Sequence, residues 1–140
     1  MDLKRYMNTA LLYAVIAMAG GVFYREFTKI NGFDGRTVLG TLHTHYFVLG
    51  MLFFLILVLL EKNFSFTGSK TGRILLVYHL GLNLTAVMLG VRGVIQVLDN
   101  ALASGVDAAI SGIAGIGHIM LGVGLVLLLV QIKRSVAKVR

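Results

Sequence analysis

Residues 37–60 read TVLGTLHTHYFVLGMLFFLILVLL and contain no Asp, Glu, Lys or Arg. A helix rises about 1.5 Å per residue, so roughly 20 apolar residues cross the hydrocarbon core of a bilayer. This stretch therefore predicts a transmembrane helix. Three further stretches, 6–24, 72–98 and 106–132, are also long and apolar enough. The sequence predicts an all-α membrane protein with four transmembrane helices in a single domain over residues 1–140.

The composition supports a membrane protein and excludes several kinds of chemistry. Hydrophobic residues make up 57% of the 140 residues and charged residues only 14%, which is low for a soluble domain. Cys is absent, so disulfides, thiolate metal sites, c-type haem attachment and thiol catalysis are excluded. The net charge of +7 comes from residues at the ends of the spans. Basic residues at such positions set the orientation of the spans and attract anionic lipid, which explains the pattern better than binding of nucleic acid does. The bilayer is therefore the expected partner.

Short linkers between the spans predict an up-down-up-down four-helix bundle. Basic residues cluster on one side of that bundle: Lys4, Arg5, Lys62, Lys70, Arg73, Lys133, Arg134, Lys138 and Arg140. The positive-inside rule then places both termini in the cytoplasm, in the inner membrane of a bacterium. The first linker, with Arg25, Lys29 and Arg36, is itself fairly basic and opposes this orientation.

Four histidines lie inside the predicted spans: His43, His45, His79 and His118. A titratable ring in hydrocarbon is costly, so each intramembrane histidine is a candidate functional residue. Neutral imidazole is also the commonest metal ligand in proteins. With no carboxylate deep in the spans, three helices that carry histidine into the bundle interior predict haem iron, with zinc or copper as alternatives.

Spacing ranks the histidines as ligands. His43 and His45 are two residues apart, about 200° around a helix, so on a regular helix they face nearly opposite sides. Either one faces the core and the other a second site or subunit, or the helix is locally distorted. Gly40 and Gly50 flank His43 on its own face and favour close packing there. Counting residues from the span midpoints puts His45 and His118 at the most similar depth. They are the best axial pair, and His43 and His79 are alternative ligands or belong to a second site.

Small and polar residues form a stripe on each of three spans, which is expected to face the interior. The stripes are Tyr6, Ala10, Tyr13, Ala17, Gly20 and Tyr24; His79, Asn83, Ala86, Gly90 and Gly93; and Ser111, Gly115, His118 and Gly122. Small residues let membrane helices approach closely, or they leave room for a flat macrocycle, and the sequence leaves both interpretations open. Tyr13 and Asn83 are candidate cofactor contacts on these stripes.

Arg92 lies near the outer end of the third span. It is a candidate partner for a haem propionate, because arginine binds carboxylates through two hydrogen bonds. It is also placed to pair with Asp99 or Asp107, or to reach the lipid headgroups. Arg36 is a second propionate candidate at the same surface.

Two resemblances extend these expectations. The segment 42–51, LHTHYFVLGM, resembles the haem-ligand helix of haem–copper oxidase and nitric oxide reductase catalytic subunits, which implies b-type haem on the second helix. Short motifs along the whole chain carry the second resemblance: Tyr24-Arg25-Glu26-Phe27, His43-Thr44-His45 with Leu49-Gly50, Glu61-Lys62, Gly81-Leu82-Asn83, Arg92-Gly93 and Gly115-Ile116-Gly117-His118. With these motifs the chain resembles a bacterial four-helix membrane family, the domain of unknown function 2871. That family implies a fold but no activity.

The first hypothesis is therefore a haem-b-binding protein of the bacterial inner membrane. Two axial histidines would imply electron transfer with a quinone or a respiratory-chain partner, and one would imply binding or redox chemistry of a diatomic gas. The alternatives are a small proton or metal transporter or channel subunit lined by histidines, and an assembly partner of a respiratory complex. Small-residue faces left uncovered would suit a homo-oligomer.

Overall fold

In a computed structural model, residues 3–138 are described and form four long helices. These are α1 (Leu3–Ile30), α2 (Leu39–Phe64), α3 (Thr71–Val97) and α4 (Ser104–Val136). All four are long and apolar enough to cross a membrane, and no strand occurs between residues 3 and 138. The prediction of an all-α protein with four spans is confirmed.

The helices end at different residues from the predicted spans, most clearly in α1. The sequence predicted a span over 6–24, whereas α1 continues through the charged segment Tyr24-Arg25-Glu26 to Ile30. The fourth helix likewise begins before residue 106 and ends after residue 132. Hydropathy marks the part of a helix that suits hydrocarbon, and backbone hydrogen bonding continues beyond it into the polar ends.

The second helix changes its winding in the middle. Leu39–His45 and Phe53–Phe64 are α-helical, whereas Tyr46–Leu52 forms a π-helix. Wider π turns occur mostly as short insertions and often lie at functional sites. Here the wider turn begins directly after His45, so it sets the angle between that histidine and the residues that follow.

Contacts between α1 and α2 run in opposite order along the two helices. Tyr6 near the start of α1 lies 6.3 Å from Phe54, and Tyr24 towards its end lies 6.3 Å from His43, measured between ring centroids. The buried face of α1 consists of Tyr6, Ala10, Tyr13 and Ala17. These are the first four residues of the stripe expected from the sequence, and its last two, Gly20 and Tyr24, are half-buried. The aromatic core of the bundle therefore lies between these two helices and α3.

Helices α3 and α4 pack backbone against backbone through glycine. Gly81 lies directly against the backbone of Leu121, and a Cβ on Gly124 would lie 2.9 Å from Cα of Tyr78. Gly117 is equally close to Thr85, where a Cβ would lie 2.9 Å from the backbone nitrogen. Close packing is therefore the role of these three glycines.

The face of α4 that the sequence assigned to the interior is exposed. Ser111, Gly115, His118 and Gly122 all lie on the surface of the bundle. The buried residues of α4 are Ile110, Gly117, Leu121, Gly124, Leu128 and Ile132. The expectation that His118 points into the bundle is wrong, because α4 turns its Gly117–Gly124 face towards α3 and leaves the histidine face outside.

Candidate functional site

His45 on α2 and His118 on α4 lie side by side. Their ring centroids are 6.4 Å apart, and the two ring planes are perpendicular, with an interplanar angle of 90°. His118 is exposed and His45 is half-buried. The pair therefore lies at the surface of the bundle, at the boundary between two helices that are distant in sequence.

Both rings are held by their own helices in the same way. His45 Nδ1 lies 2.9 Å from the carbonyl oxygen of Thr41, and His118 Nδ1 lies 2.8 Å from that of Ala114. A carbonyl oxygen only accepts, so each Nδ1 carries the proton. In the neutral ring, the lone pair is then on Nε2, which is the form that binds a metal while a backbone carbonyl orients the ring.

The surface around this histidine pair is open. A Cβ added to Gly112, Gly115 or Gly122 would meet no atom within 4 Å. Gly115 and Gly122 lie about one turn before and after His118 on the same side of α4. Polar rings at a lipid-facing surface need a partner, and the structure leaves space beside this pair for one.

His43 faces α1 instead. Its Cγ lies 3.7 Å from the position of a Cβ on Gly21, and its ring stacks on Tyr24 at 6.3 Å between centroids. Phe47 covers its edge at 6.4 Å. Among the described residues, Nδ1 of His43 is buried and has no hydrogen-bond partner. His43 is thus separated from the His45–His118 pair, although it lies only two residues from His45.

His79 lies in the interior of the bundle between two aromatic rings. Phe54 stacks on it at 5.0 Å and Tyr13 at 5.6 Å, measured between ring centroids. The hydroxyl oxygen of Tyr13 is 2.6 Å from Nδ1 of His79. His79 therefore lies apart from the other three histidines and is bonded within the protein.

A chain of hydrogen bonds ends at His79. Tyr46 donates its hydroxyl proton to Oδ1 of Asn83 at 3.0 Å, and Nδ2 of Asn83 donates to the hydroxyl oxygen of Tyr13 at 3.1 Å. Because the hydroxyl oxygen of Tyr13 accepts from Asn83, its hydroxyl proton is donated to Nδ1 of His79. Tyr13 and Asn83, predicted as cofactor contacts, belong to this chain. The sequence analysis missed Tyr46, whose position directly after the His43-Thr44-His45 segment was its only signal.

Arg92 forms the ion pair that was one of its predicted roles. Its Nη2 lies 3.0 Å from Oδ1 of Asp107 and 2.8 Å from Oγ of Ser111. Arg92 and Arg36 also line one cavity of about 870 Å³ at this end of the bundle, together with Asp99 and Asp107. Ser111 precedes His118 by seven residues, or about 10 Å along α4, so the histidine pair and the cavity are separate places on one side of that helix.

The available ligands limit which metal centre the chain could hold. Between residues 3 and 138, no group of three or more His, Cys, Asp or Glu side chains converges on one point. Protein-bound zinc takes three or four ligands from the protein. Haem iron needs one or two, because the macrocycle supplies the rest. A pair of histidines therefore supplies too few protein ligands for a zinc site and enough for haem iron.

Comparison with known protein families gives one match. A family model described as "Protein of unknown function (DUF2871)" matches residues 3–135. The chain belongs to this family. The DUF2871 match covers nearly all of the four helices, from the first residue of α1 to the last turn of α4. Comparison of this DUF2871 protein with curated proteins and with solved structures gives no match, so the resemblance to haem–copper oxidases stays a prediction.

Proposed function

We propose that this DUF2871 protein binds haem b and transfers electrons within the bacterial inner membrane, with His45 and His118 as the two axial ligands. The supporting observation is the pair of rings, 6.4 Å apart between centroids, each anchored through Nδ1. Metal–imidazole bonds are about 2 Å long, so two imidazoles on opposite sides of one iron have centroids roughly 6 Å apart. The distance between the ring centroids supports a metal held between the two rings.

The surroundings of the pair support a flat, largely apolar ligand. The glycines around His118 leave open space on the exposed side of α4, where a macrocycle would lie. Arg92 is the first candidate to bind a propionate, because it is hydrogen-bonded to Ser111, which lies about 10 Å along α4 from His118. Arg36, which lines the same 870 Å³ cavity as Arg92, is the second candidate. Their guanidinium groups suit carboxylates.

Ligation by two imidazoles favours electron transfer over gas binding. Both axial positions would be filled by the protein, so no position is left for a diatomic ligand. Bound haem would supply a one-electron redox change, whose potential depends on the ligands, hydrogen bonding and burial. A quinone or a respiratory-chain protein is the fitting redox partner, since the pair opens towards the membrane.

The same proposal includes the topology. We infer an up-down-up-down arrangement with both termini in the cytoplasm. The opposite order of contacts along α1 and α2, and the basic residues at one end of the bundle, support it. Arg140, one of those basic residues, lies outside the described residues. If the exposed glycine face of α4 holds no cofactor, its small residues would instead suit a second copy of the chain, and a homo-oligomer is the alternative use of this surface.

The test compares optical spectra of four single variants, each purified after expression with added haem precursor. His45→Ala and His118→Ala are expected to lose the Soret and α bands, because each removes an axial ligand. His43→Ala and His79→Ala are matched controls that are expected to retain them. Circular dichroism checks that all four remain helical. Loss of pigment in His79→Ala alone would refute this assignment of ligands.

One observation favours a second candidate, a proton-conducting subunit. The chain from Tyr46 through Asn83 and Tyr13 to His79 is a continuous set of hydrogen-bonded polar groups inside the bundle, and His79 is its titratable end. This candidate predicts colourless protein and proton flux in liposomes. The flux should disappear in Tyr13→Phe, which removes one hydroxyl from the chain.

A further inference from the structure

A second cavity, of about 490 Å³, lies at the end of the bundle away from Arg92. It is formed by residues 65–70, which connect α2 to α3, and by the last turns of α4. Gln131 fixes the two parts together, because its Nε2 donates to the carbonyl oxygen of Phe66 at 2.7 Å and to Oγ1 of Thr71 at 2.5 Å. Thr71 also accepts from the backbone nitrogen of Gly68 at 2.8 Å. The cavity is thus bounded by hydrogen-bonded structure, and its volume lies in the range of about 300–1,000 Å³ of small-molecule sites.

The charged side chains that line this cavity are all basic. They are Lys70, Arg134 and Lys138, and no Asp or Glu occurs among the described lining residues. The carboxylate of Glu61 lies close to the same loop, where it accepts a hydrogen bond from the backbone nitrogen of Thr67 at 2.9 Å. Within residues 3–138, none of these three cations is in an ion pair, since the two ion pairs of that part involve Arg25 and Arg92. The hydroxyls of the lining serines Ser65, Ser69 and Ser135 are further hydrogen-bond donors. The cavity therefore favours an anion, unlike the larger cavity at the other end, which is lined by carboxylates as well as arginines.

The same cavity has an apolar wall towards the membrane. Ile74, Leu127 and Val130 line it, and Leu127 and Val130 are 46% and 39% exposed. Both lie on the apolar part of α4, where an exposed side chain contacts hydrocarbon. A small soluble anion would leave this wall uncovered. A ligand with an anionic head and acyl chains would contact both the cations and the wall.

We propose that this cavity binds the headgroup of an anionic phospholipid. The phosphodiester oxygens accept hydrogen bonds from Lys70, Arg134 and Lys138, and an acyl chain lies along Leu127 and Val130. Cations at the membrane surface attract anionic lipid, and the attraction is stronger where several converge on one site. The lipid would join the α2–α3 loop to the end of α4, and it would do so independently of the histidine pair at the other side of the bundle.

The test is native mass spectrometry of the detergent-purified protein with added phosphatidylglycerol or phosphatidylcholine. The site variant replaces Lys70, Arg134 and Lys138 with Gln. The control variant replaces Lys62, Arg73 and Lys133 with Gln, which removes the same charge from exposed positions near the same end that do not line the cavity. We expect one phosphatidylglycerol to remain bound to the wild type and the control. The site variant should bind it roughly a hundredfold more weakly, at about fivefold for each of the three cations removed.

Three results would overturn the proposal. Equal losses in the two triple variants would mean diffuse attraction by surface charge, without a site. Equal retention of phosphatidylcholine and phosphatidylglycerol by the wild type would mean that the headgroup charge is not recognised. Competition with inorganic phosphate distinguishes a lipid phosphodiester from a free phosphate as the ligand of this cavity. If millimolar phosphate displaces the bound lipid, the cavity is a site for free phosphate. If the lipid stays bound in millimolar phosphate, the result supports the lipid.

Discussion

Replacement of Gly124 by Ala tests which face of α4 is buried. A Cβ at this position would lie 2.9 Å from both Cα and N of Tyr78, and these atoms belong to the backbone of α3. Favourable carbon–carbon contacts are about 3.5–4.0 Å, so the two helices must separate by more than half an ångström. Overpacking of this kind destabilises a protein by about 1–3 kcal/mol.

Gly122→Ala is the matched control, two residues away on the same helix. A Cβ there meets nothing within 4 Å, and Ala is a better helix former than Gly by up to about 1 kcal/mol. The free energy of unfolding, measured by titration of the purified protein with SDS and followed by circular dichroism, should fall for Gly124→Ala. It should stay equal or rise for Gly122→Ala. A larger loss for Gly122→Ala would mean that α4 is rotated and that His118 faces the interior, against the structure described here.

Three further substitutions test separate parts of the molecule. Tyr13→Phe removes the hydroxyl that Asn83 and His79 share as a hydrogen-bond partner, so it should lower the free energy of unfolding by about 1–3 kcal/mol. Tyr24→Phe is the control. In the same SDS titration it should change the free energy of unfolding by less than half as much. Arg92→Gln should change the free energy of unfolding by less than about 1 kcal/mol, because the ion pair of Arg92 is partly exposed. The same substitution should speed the transfer of haem from the protein to apomyoglobin. An unchanged rate of haem transfer would contradict propionate binding by Arg92. Gly115→Leu should lower the haem-to-protein ratio without loss of helicity, since the new side chain enters the open space beside the histidine pair.

The number and position of the helices were predictable because they depend on local hydrophobicity. The buried stripe of α1 was also predictable. Tyr6, Ala10, Tyr13 and Ala17 recur at helical spacing, and all four are buried. Counting residues along straight helices likewise placed His45 and His118 at a similar depth, and the two rings are adjacent in the structure.

The orientation of α4 was not predictable from its sequence. Two pairs of glycines, Gly115 with Gly122 and Gly117 with Gly124, have the same spacing, so the pattern alone permits either face to pack. The backbone of α3 decides between them, because Tyr78 approaches Gly124. That choice depends on contacts between residues far apart in sequence.

The sequence left a local distortion of α2 open but did not predict its position, its type or its consequence for Tyr46. Hydropathy reports which residues are apolar and carries no information on hydrogen-bond register. The distortion is the π-helical segment Tyr46–Leu52, directly after His45. The hydrogen bond from Tyr46 to Asn83 therefore became visible only in three dimensions.

The most direct measurement is the haem content of the wild-type protein. The protein is purified in mild detergent from cells supplied with haem precursor, and its reduced-minus-oxidised spectrum and pyridine haemochrome are recorded. One haem b per chain, with the α band of a six-coordinate, bis-histidine iron, is the expected result. Protein that stays helical and colourless under these conditions would contradict binding of haem by His45 and His118.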